Sequence, residues 1–261
     1  MSILDQLTEH ALLRVDEAKK VISSDEIKRR ALELPGKNHE FARALKKSDI
    51  SFICECKKAS PSKGLIAKEF DATAIAKEYE AAGADCISVL TEPKWFLGSN
   101  EYLLGVTENV NIPCIRKDFT VDEYMIYEAR VLGASAVLLI CSVLSDSRLE
   151  EYLGICRELG MDALVEAHDG EEVMRALKAG AEIIGVNNRN LRDFSVDAGN
   201  AIGLRKMIPE GKIFVSESGI STADDIRALR DAGVDAVLVG EALMRAPDKK
   251  KKLQELKGRD V

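Results

Sequence analysis

From about residue 50 onward, short apolar runs alternate with stretches of helical period. The runs that read as strands are Ser51–Lys57, Asp85–Leu90, Ile112–Lys117, Ala134–Ile140, Asp162–Glu166, Glu182–Asn187, Lys212–Glu217 and Ala236–Gly240. They are close to continuously apolar, as in Ala136-Val137-Leu138-Leu139-Ile140. Strands buried on both faces look like this, and parallel sheets covered by helices contain such strands. The intervening segments carry helix-start signals. Asp71 precedes a segment with Ile75 and Tyr79 four apart, and Ser221-Thr222 is followed by Asp224 and Asp225. A weak repeat marks the junctions: Ala82-Gly83-Ala84-Asp85, Leu132-Gly133-Ala134-Ser135, Ala179-Gly180-Ala181-Glu182 and Ala232-Gly233-Val234-Asp235. In each, a Gly suited to positive φ ends a helix just before a strand. The copies stand about fifty residues apart, two strand–helix units each.

Eight such strands predict a closed (β/α)8 TIM barrel, with an open doubly wound sheet as the alternative. Residues 1–49 differ. Leu4, Leu7, Ala11, Leu12 and Val15 form an amphipathic stripe, Pro35-Gly36 interrupts, and His39–Lys47 resumes the helical pattern. This predicts an N-terminal helical extension covering one end of the barrel. No Ser/Gly-rich linker separates it, so residues 1–261 are expected to be a single domain.

Composition narrows the function classes. The 261 residues carry a net charge of -7. That disfavours nucleic-acid binding, which relies on basic groups at phosphates. The Lys249–Lys252 run reads as the C-terminal end of the last helix, where cations suit the helix dipole. Six cysteines, Cys54, Cys56, Cys86, Cys114, Cys141 and Cys156, include no C-x-x-C pair and read mainly as small core residues. No signal-peptide pattern and no membrane-length apolar run is visible, so a reduced cytoplasm and no membrane partner are expected. His10, His39 and His168 are too scattered for a metal cluster.

In a barrel of this kind the chemistry gathers at the C-terminal ends of the strands. Six predicted strands end in polar groups: Glu55-Cys56-Lys57, Arg116-Lys117-Asp118-Phe119, Glu166-Ala167-His168, Asn187-Asn188-Arg189-Asn190, Glu217-Ser218-Gly219-Ile220 and Gly240-Glu241-Ala242. Glu55 and Lys57 share a strand face, and Cys56 should point the other way. The Gly-bearing turns after the seventh and eighth strands suit phosphate, because backbone N–H groups there bind anions. His168 reads as a plain polar loop residue.

These strand ends resemble the indole-3-glycerol phosphate synthase family. The match runs from Glu55-Cys56-Lys57-Lys58-Ala59-Ser60-Pro61-Ser62-Lys63-Gly64, similar to that family's E-x-K-x-x-S-P-S-x-G, through Thr91-Glu92-Pro93-Lys94-Trp95-Phe96-Leu97-Gly98-Ser99 to the ends already quoted. It also includes Gly185-Val186-Asn187-Asn188-Arg189-Asn190-Leu191 and Val239-Gly240-Glu241-Ala242-Leu243-Met244. The resemblance implies a lyase of tryptophan biosynthesis that closes, decarboxylates and dehydrates 1-(2-carboxyphenylamino)-1-deoxyribulose 5-phosphate. It implies Lys117 as general acid, with an acidity raised by desolvation or by Arg116 or Lys57. Glu166 would be the base and Lys57 a second acid. Glu55 would orient both lysines, and Asn187 and Glu217 would meet the sugar hydroxyls or the developing charge. Ser60 and Arg189 would hold the anthranilate carboxylate, and Phe96 its ring. Ser218, Gly219, Gly240 and Glu241 would offer backbone amides to the phosphate, with the Glu241 side chain turned away. Neither metal nor redox cofactor is implied, the ligand is a small phosphorylated metabolite, and partner enzymes are left unknown. Phosphoribosylanthranilate isomerase or the tryptophan synthase α-subunit would share the late glycines without Glu55, Lys57 and Ser60-Pro61-Ser62. A barrel that binds a phosphorylated metabolite without turnover would dispense with Lys117 and Glu166.

Overall fold

A computed structural model describes residues 2–190, 194–197 and 199–259. Leu191 of the quoted motif lies outside the described residues, as do Met1, Asp260 and Val261 of the predicted domain. The apolar runs become eight strands: β1 (Ser51–Cys56), β2 (Cys86–Leu90), β3 (Cys114–Lys117), β4 (Ala136–Ile140), β5 (Asp162–Ala167), β6 (Ile183–Asn187), β7 (Ile213–Glu217) and β8 (Ala236–Val239). Each pairs in parallel with its sequence neighbours, and β8 closes on β1 with Ser51 opposite Ala236 and Cys54 opposite Val239. The closed barrel is the predicted fold class; the open sheet is excluded.

Several strands begin a residue or two later than the apolar pattern suggested, and side chains supply the missing ladder bonds. Asp85 Oδ2 accepts the Phe52 N–H at 2.8 Å, and Asp235 Oδ2 accepts the Phe214 N–H at 2.8 Å. Along each strand, alternate residues divide between two cores. Ile53, Cys86, Ile115, Leu138, Leu164, Ile183, Val215 and Leu238 fill the barrel interior. Phe52, Cys54, Val89, Val137, Val165, Ile184, Phe214 and Val237 pack outward against helices. Each fully buried aliphatic side chain contributes about 1.5–3 kcal/mol, so a one-residue register slip would exchange two cores at once.

Helices α1 (Ile3–Val21), α2 (Ser24–Glu33) and α3 (Glu40–Leu45) precede the barrel. The outer ring follows as α4 (Ala72–Ala81), α5 (Asn100–Thr107), α6 (Glu123–Val131), α7 (Asp146–Glu158), α8 (Gly170–Lys178), α9 (Gly199–Leu204), α10 (Ala223–Asp231), α11 (Glu241–Arg245) and α12 (Lys249–Leu256). Asp71 and Thr222 cap α4 and α10 as read from sequence. The junction glycines Gly83, Gly133, Gly180 and Gly233 have φ of 87°, 85°, 87° and 77°.

Three expectations need correction. The extension closes both ends of the barrel. Leu7 and Ala11 of α1 join the interior cluster at the mouth, α2 runs along α6, and α3 seals the floor with Phe41 and Leu45. At that floor Ser51 Oγ donates to the Leu45 carbonyl at 3.2 Å and the Ala42 N–H donates to Asp162 Oδ2 at 2.9 Å. Within α1, Leu12 is exposed, because the buried face runs Leu7, Ala11, Val15 at four-residue steps. The Lys249–Lys252 run opens α12 rather than ending it. Asp248 caps that helix, and Lys249 and Lys252 find Glu78 and Glu255. All six cysteines are buried free thiols. No described helix is long and apolar enough to cross a membrane.

Candidate active site

A cavity of about 490 Å³ opens at the C-terminal ends of the strands. Of the residues singled out from sequence, Glu55, Lys57, Ser60, Phe96, Lys117, Glu166, Asn187, Arg189, Glu217, Ser218, Gly219, Gly240 and Glu241 all line it. Strand alternation explains the convergence: Glu55, Lys117, Glu166, Asn187 and Glu217 each occupy an inward position at the last turn of the pleat. Cys56, between Glu55 and Lys57, points outward into the helix-facing core.

At the cavity floor Lys117 Nζ stands 3.3 Å from Glu166 Oε2 and 3.6 Å from Glu217 Oε2. Lys57 Nζ pairs with Glu55 Oε1 at 2.5 Å, and Ser88 Oγ donates to Glu55 Oε2 at 3.4 Å. Asn187 lies near the Glu166 carboxylate and favours its charged form, and its Oδ1 accepts the Arg189 N–H at 3.0 Å. Two ammonium groups thus face three carboxylates in a space largely shielded from water.

The electrostatics correct the expectation of a more acidic Lys117. Burial does push its ammonium toward deprotonation, but Glu166, Glu217 and Glu55 outweigh that and hold its pKa above the ordinary lysine value. Arg116 does not help, because it points out of the barrel. Its guanidinium donates to Thr91 Oγ1, to the Met125 carbonyl and to Asn100 Oδ1, and pairs with Glu128 at 2.7 Å. Burial also raises the Glu217 carboxyl above its ordinary range; Glu166 and Glu55 add to this and Lys117 opposes it. Glu166 is driven the other way. Burial would raise it, yet Lys117, His168 and Asn187 together leave it lowered. Neighbouring carboxylates with divided titration are a frequent mark of acid–base sites.

His168 also departs from its plain reading. It lies directly behind Glu166, with Nε2 3.5 Å from Glu166 Oε1. The Glu241 carboxylate is turned sideways onto Arg245 at 3.1 Å, Lys63 at 3.4 Å and Arg189 at 3.9 Å. Ser60 lies in a two-stranded ribbon, Ala59–Ser60 against Gly64–Leu65, that carries the loop after β1 across the mouth. Consecutive residues Ser218 and Gly219, with φ of 68° and 78°, form the turn after β7.

Sequence reasoning assigned no role to several lining residues. Phe119 sits beside Phe96, ring centroids 6.2 Å apart, and Ile3, Leu4, Leu7, Leu138 and Ile140 complete an apolar wall. Phe119 and the α1 stripe had been legible as patterns, but nothing in them said which cavity they would face. Glu92, wholly buried, accepts N–H bonds from Lys94, Trp95 and Phe96 at 3.0, 2.7 and 3.0 Å and so shapes the loop holding Phe96. Arg14 of α1 makes a two-pronged bridge to Asp118, 3.0 Å and 2.7 Å, fastening the extension beside Lys117.

Solved structures share the fold at low identity. 3-Hexulose-6-phosphate synthase superposes with a TM-score of 0.64 at 17% identity, covering 80% of this chain and 99% of that one. Thiamine phosphate pyrophosphorylase from Pyrococcus furiosus gives 0.61 at 17%, covering 85% and 96%. Sequence relatives are much nearer. The indole-3-glycerol phosphate synthase of Ruminiclostridium cellulolyticum is 52% identical over 98% of this chain and 99% of its own length. That of Endomicrobium trichonymphae is 55% identical over 98% and 99%. The family model for indole-3-glycerol phosphate synthase matches residues 4–256, which takes in every strand end that lines the cavity. With the extension, the barrel and the paired lysines and glutamates all inside that match, the chain belongs to the indole-3-glycerol phosphate synthase family.

Proposed function

We infer that this protein converts 1-(2-carboxyphenylamino)-1-deoxyribulose 5-phosphate to indole-3-glycerol phosphate, releasing CO2 and water, and that the cavity residues divide that work as follows. Ring closure makes an alkoxide from the ketose carbonyl. Lys117, kept protonated by its three carboxylate neighbours, donates to that oxygen. Loss of CO2 returns electrons to the ring system. Glu166, kept ionised, then removes a proton, and Lys57 protonates the departing hydroxide. Glu55 holds Lys57 in place. Asn187 and Glu217 meet the sugar hydroxyls. Ser60 and the Arg189 fork bind the anthranilate carboxylate, and Phe96 packs on its ring. Ser218, Gly219, Gly240 and Glu241 bind phosphate through backbone amides. A Glu241 carboxylate already turned onto Arg245, Lys63 and Arg189 supports that arrangement, since it need not face the phosphate.

The observation that carries the assignment is the contact of acid and base: Lys117 and Glu166 touch at 3.3 Å, so both reach the same substrate atoms. The substrate supplies its own electron sink, so the reaction needs neither metal nor redox cofactor. The proposal extends to one domain over residues 1–261, working in the cytoplasm. Six unpaired thiols support that compartment, and a net charge of -7 speaks against a nucleic-acid partner.

Purified protein given the carboxyphenylamino substrate should produce indole fluorescence without added metal. Lys117→Ala should lower kcat at least about a hundredfold, the scale of a lost general acid, with ligand affinity held within about tenfold. Near-normal turnover by that variant sinks the assignment of Lys117.

A further inference from the structure

We propose that His168 is a positioning residue, a bridge from Glu172 to Glu166 that holds the catalytic base in line with the substrate. The proposal rests on Glu166 being that base. His168 does not border the cavity, so it acts through Glu166 rather than on the substrate.

The bridge is built from two helices and a strand end. His168 is the first residue past β5. Glu172, in the first turn of α8, accepts both the His168 backbone N–H at 2.8 Å and a bond from ring Nδ1 at 3.1 Å, through the same oxygen. From α9, Asn200 Nδ2 donates to the His168 carbonyl at 3.0 Å. The ring is therefore clamped at Nδ1 and its backbone is fixed on both sides. That leaves Nε2, a buried atom with no hydrogen-bond partner among the described residues, 3.5 Å from Glu166 Oε1. The other oxygen of the same carboxylate, Oε2, belongs to Lys117 at 3.3 Å. One carboxylate is thus held between an ammonium on its substrate side and an imidazole behind it.

Committing Nδ1–H to Glu172 leaves Nε2 as the position that gains or loses the titrating proton. The charged groups facing the ring are Glu172 from α8, Glu166 from β5 and Glu217 from β7, with Lys117 of β3 beyond Glu166. Burial disfavours the imidazolium, but Glu172, Glu166 and Glu217 outweigh it, and the ring is more basic than an ordinary histidine. A protonated His168 keeps Glu166 ionised. When Lys117 turns to the substrate oxygen, the imidazolium still holds the carboxylate by its rear oxygen.

The sign of the pH effect follows. Removing a cation beside a carboxylate raises its pKa, so the ascending limb of kcat/KM moves to higher pH. About one unit is expected, the lower end for an opposite charge at this range, because Lys117 remains. His168→Gln keeps an amide donor without charge; it should shift the limb while retaining most of kcat on the alkaline plateau. His168→Ala, which also loses orientation, should shift it and lower plateau kcat about tenfold, with KM within about twofold. A second arm needs no turnover. With three histidines in the chain, the ring NMR signals of His168 can be assigned and titrated. Its midpoint should lie above about 6.5 and fall in Glu166→Gln and in Glu172→Gln. An unshifted limb in both His168 variants, or a His168 midpoint unchanged by Glu166→Gln, overturns the proposal. Full activity in Glu166→Gln would overturn the role of Glu166 instead, and the NMR arm separates the two failures.

Discussion

Gly185→Ala tests how tightly the barrel holds Glu217. Gly185 faces inward on β6 in the row below Asn187. A methyl there would overlap Glu217 Oε1 outright and stand 3.3 Å from Glu217 Cδ and 3.0 Å from Leu164 Cδ1. To restore ordinary contact the carboxylate must retreat by about 1 Å. Glu217 Oε1 has no hydrogen-bond partner among the described residues, so the retreat itself breaks none there. The expected stability cost is accordingly modest, about 1–2 kcal/mol, as for a mildly overpacked core. The consequence for chemistry is larger. Lys117 Nζ lies 3.6 Å from Glu217 Oε2, and a displacement of that size opens the pair and shifts the ammonium toward Glu166. Misplacing reacting groups by about 1 Å costs on the order of a hundredfold in rate. kcat/KM should therefore fall about thirty- to a hundredfold, with far-UV dichroism unchanged and the urea midpoint only slightly lower. Gly185→Ala/Glu217→Asp, in which the shorter acid makes room, should lose less than the product of the two single effects. Activity within threefold of wild type in Gly185→Ala would refute the claim that the Glu217 position is fixed to within about 1 Å.

Two further outcomes follow from buried charge. Arg14→Ala removes the two-pronged bridge to Asp118, a wholly buried carboxylate, and should destabilise the protein by roughly 2–4 kcal/mol at pH 7 and raise KM as α1 loosens from the mouth. Burial tends to raise Asp118, but Arg14, Arg116 and Thr91 leave its pKa lowered, so the bridge stabilises above the ordinary aspartate range and fades as pH falls through the depressed value. Equal urea midpoints for variant and wild type at pH 7 would contradict this. Glu217, raised by burial, by Glu166 and by Glu55, has the opposite sign: its contribution to stability is fully present below about 4.5 and is lost as pH climbs through the raised value. Glu217→Gln should thus gain on wild type by about 1.4 kcal/mol per pH unit across that window, while turnover falls. Urea unfolding at pH 5 and pH 9 checks it, and a difference independent of pH counts against the raised carboxyl.

Most of the architecture was legible because its signals are local. Ala136–Ile140 is apolar on both faces and flanked by turn signals, the pattern of a short strand between two cores. Glu55 and Lys57 had to share a face whatever surrounded them. The polar strand ends, taken as a set, mark the mouth of the barrel in the sequence itself, and all thirteen singled-out residues line one cavity. Direction and long-range contact were a different matter. Lys117 and Arg116 are adjacent cations in sequence, yet one faces three carboxylates and the other Glu128 and Asn100 outside the barrel. That choice depends on the pleat and register of β3, not on composition. Lys117 therefore ends with a higher pKa, where its neighbours in sequence suggested a lower one. The extension's three helices were readable as helices, but which end each covers depended on chain path and on partners far along the chain, such as Asp162, 120 residues from Ala42. His168 is the sharpest case. Its chemistry was visible as a letter, while its role behind Glu166 required Glu172 one helical turn on and Asn200 from the next unit. Periodicity reports what a residue needs from its surroundings; only the closed barrel decides which residues supply it.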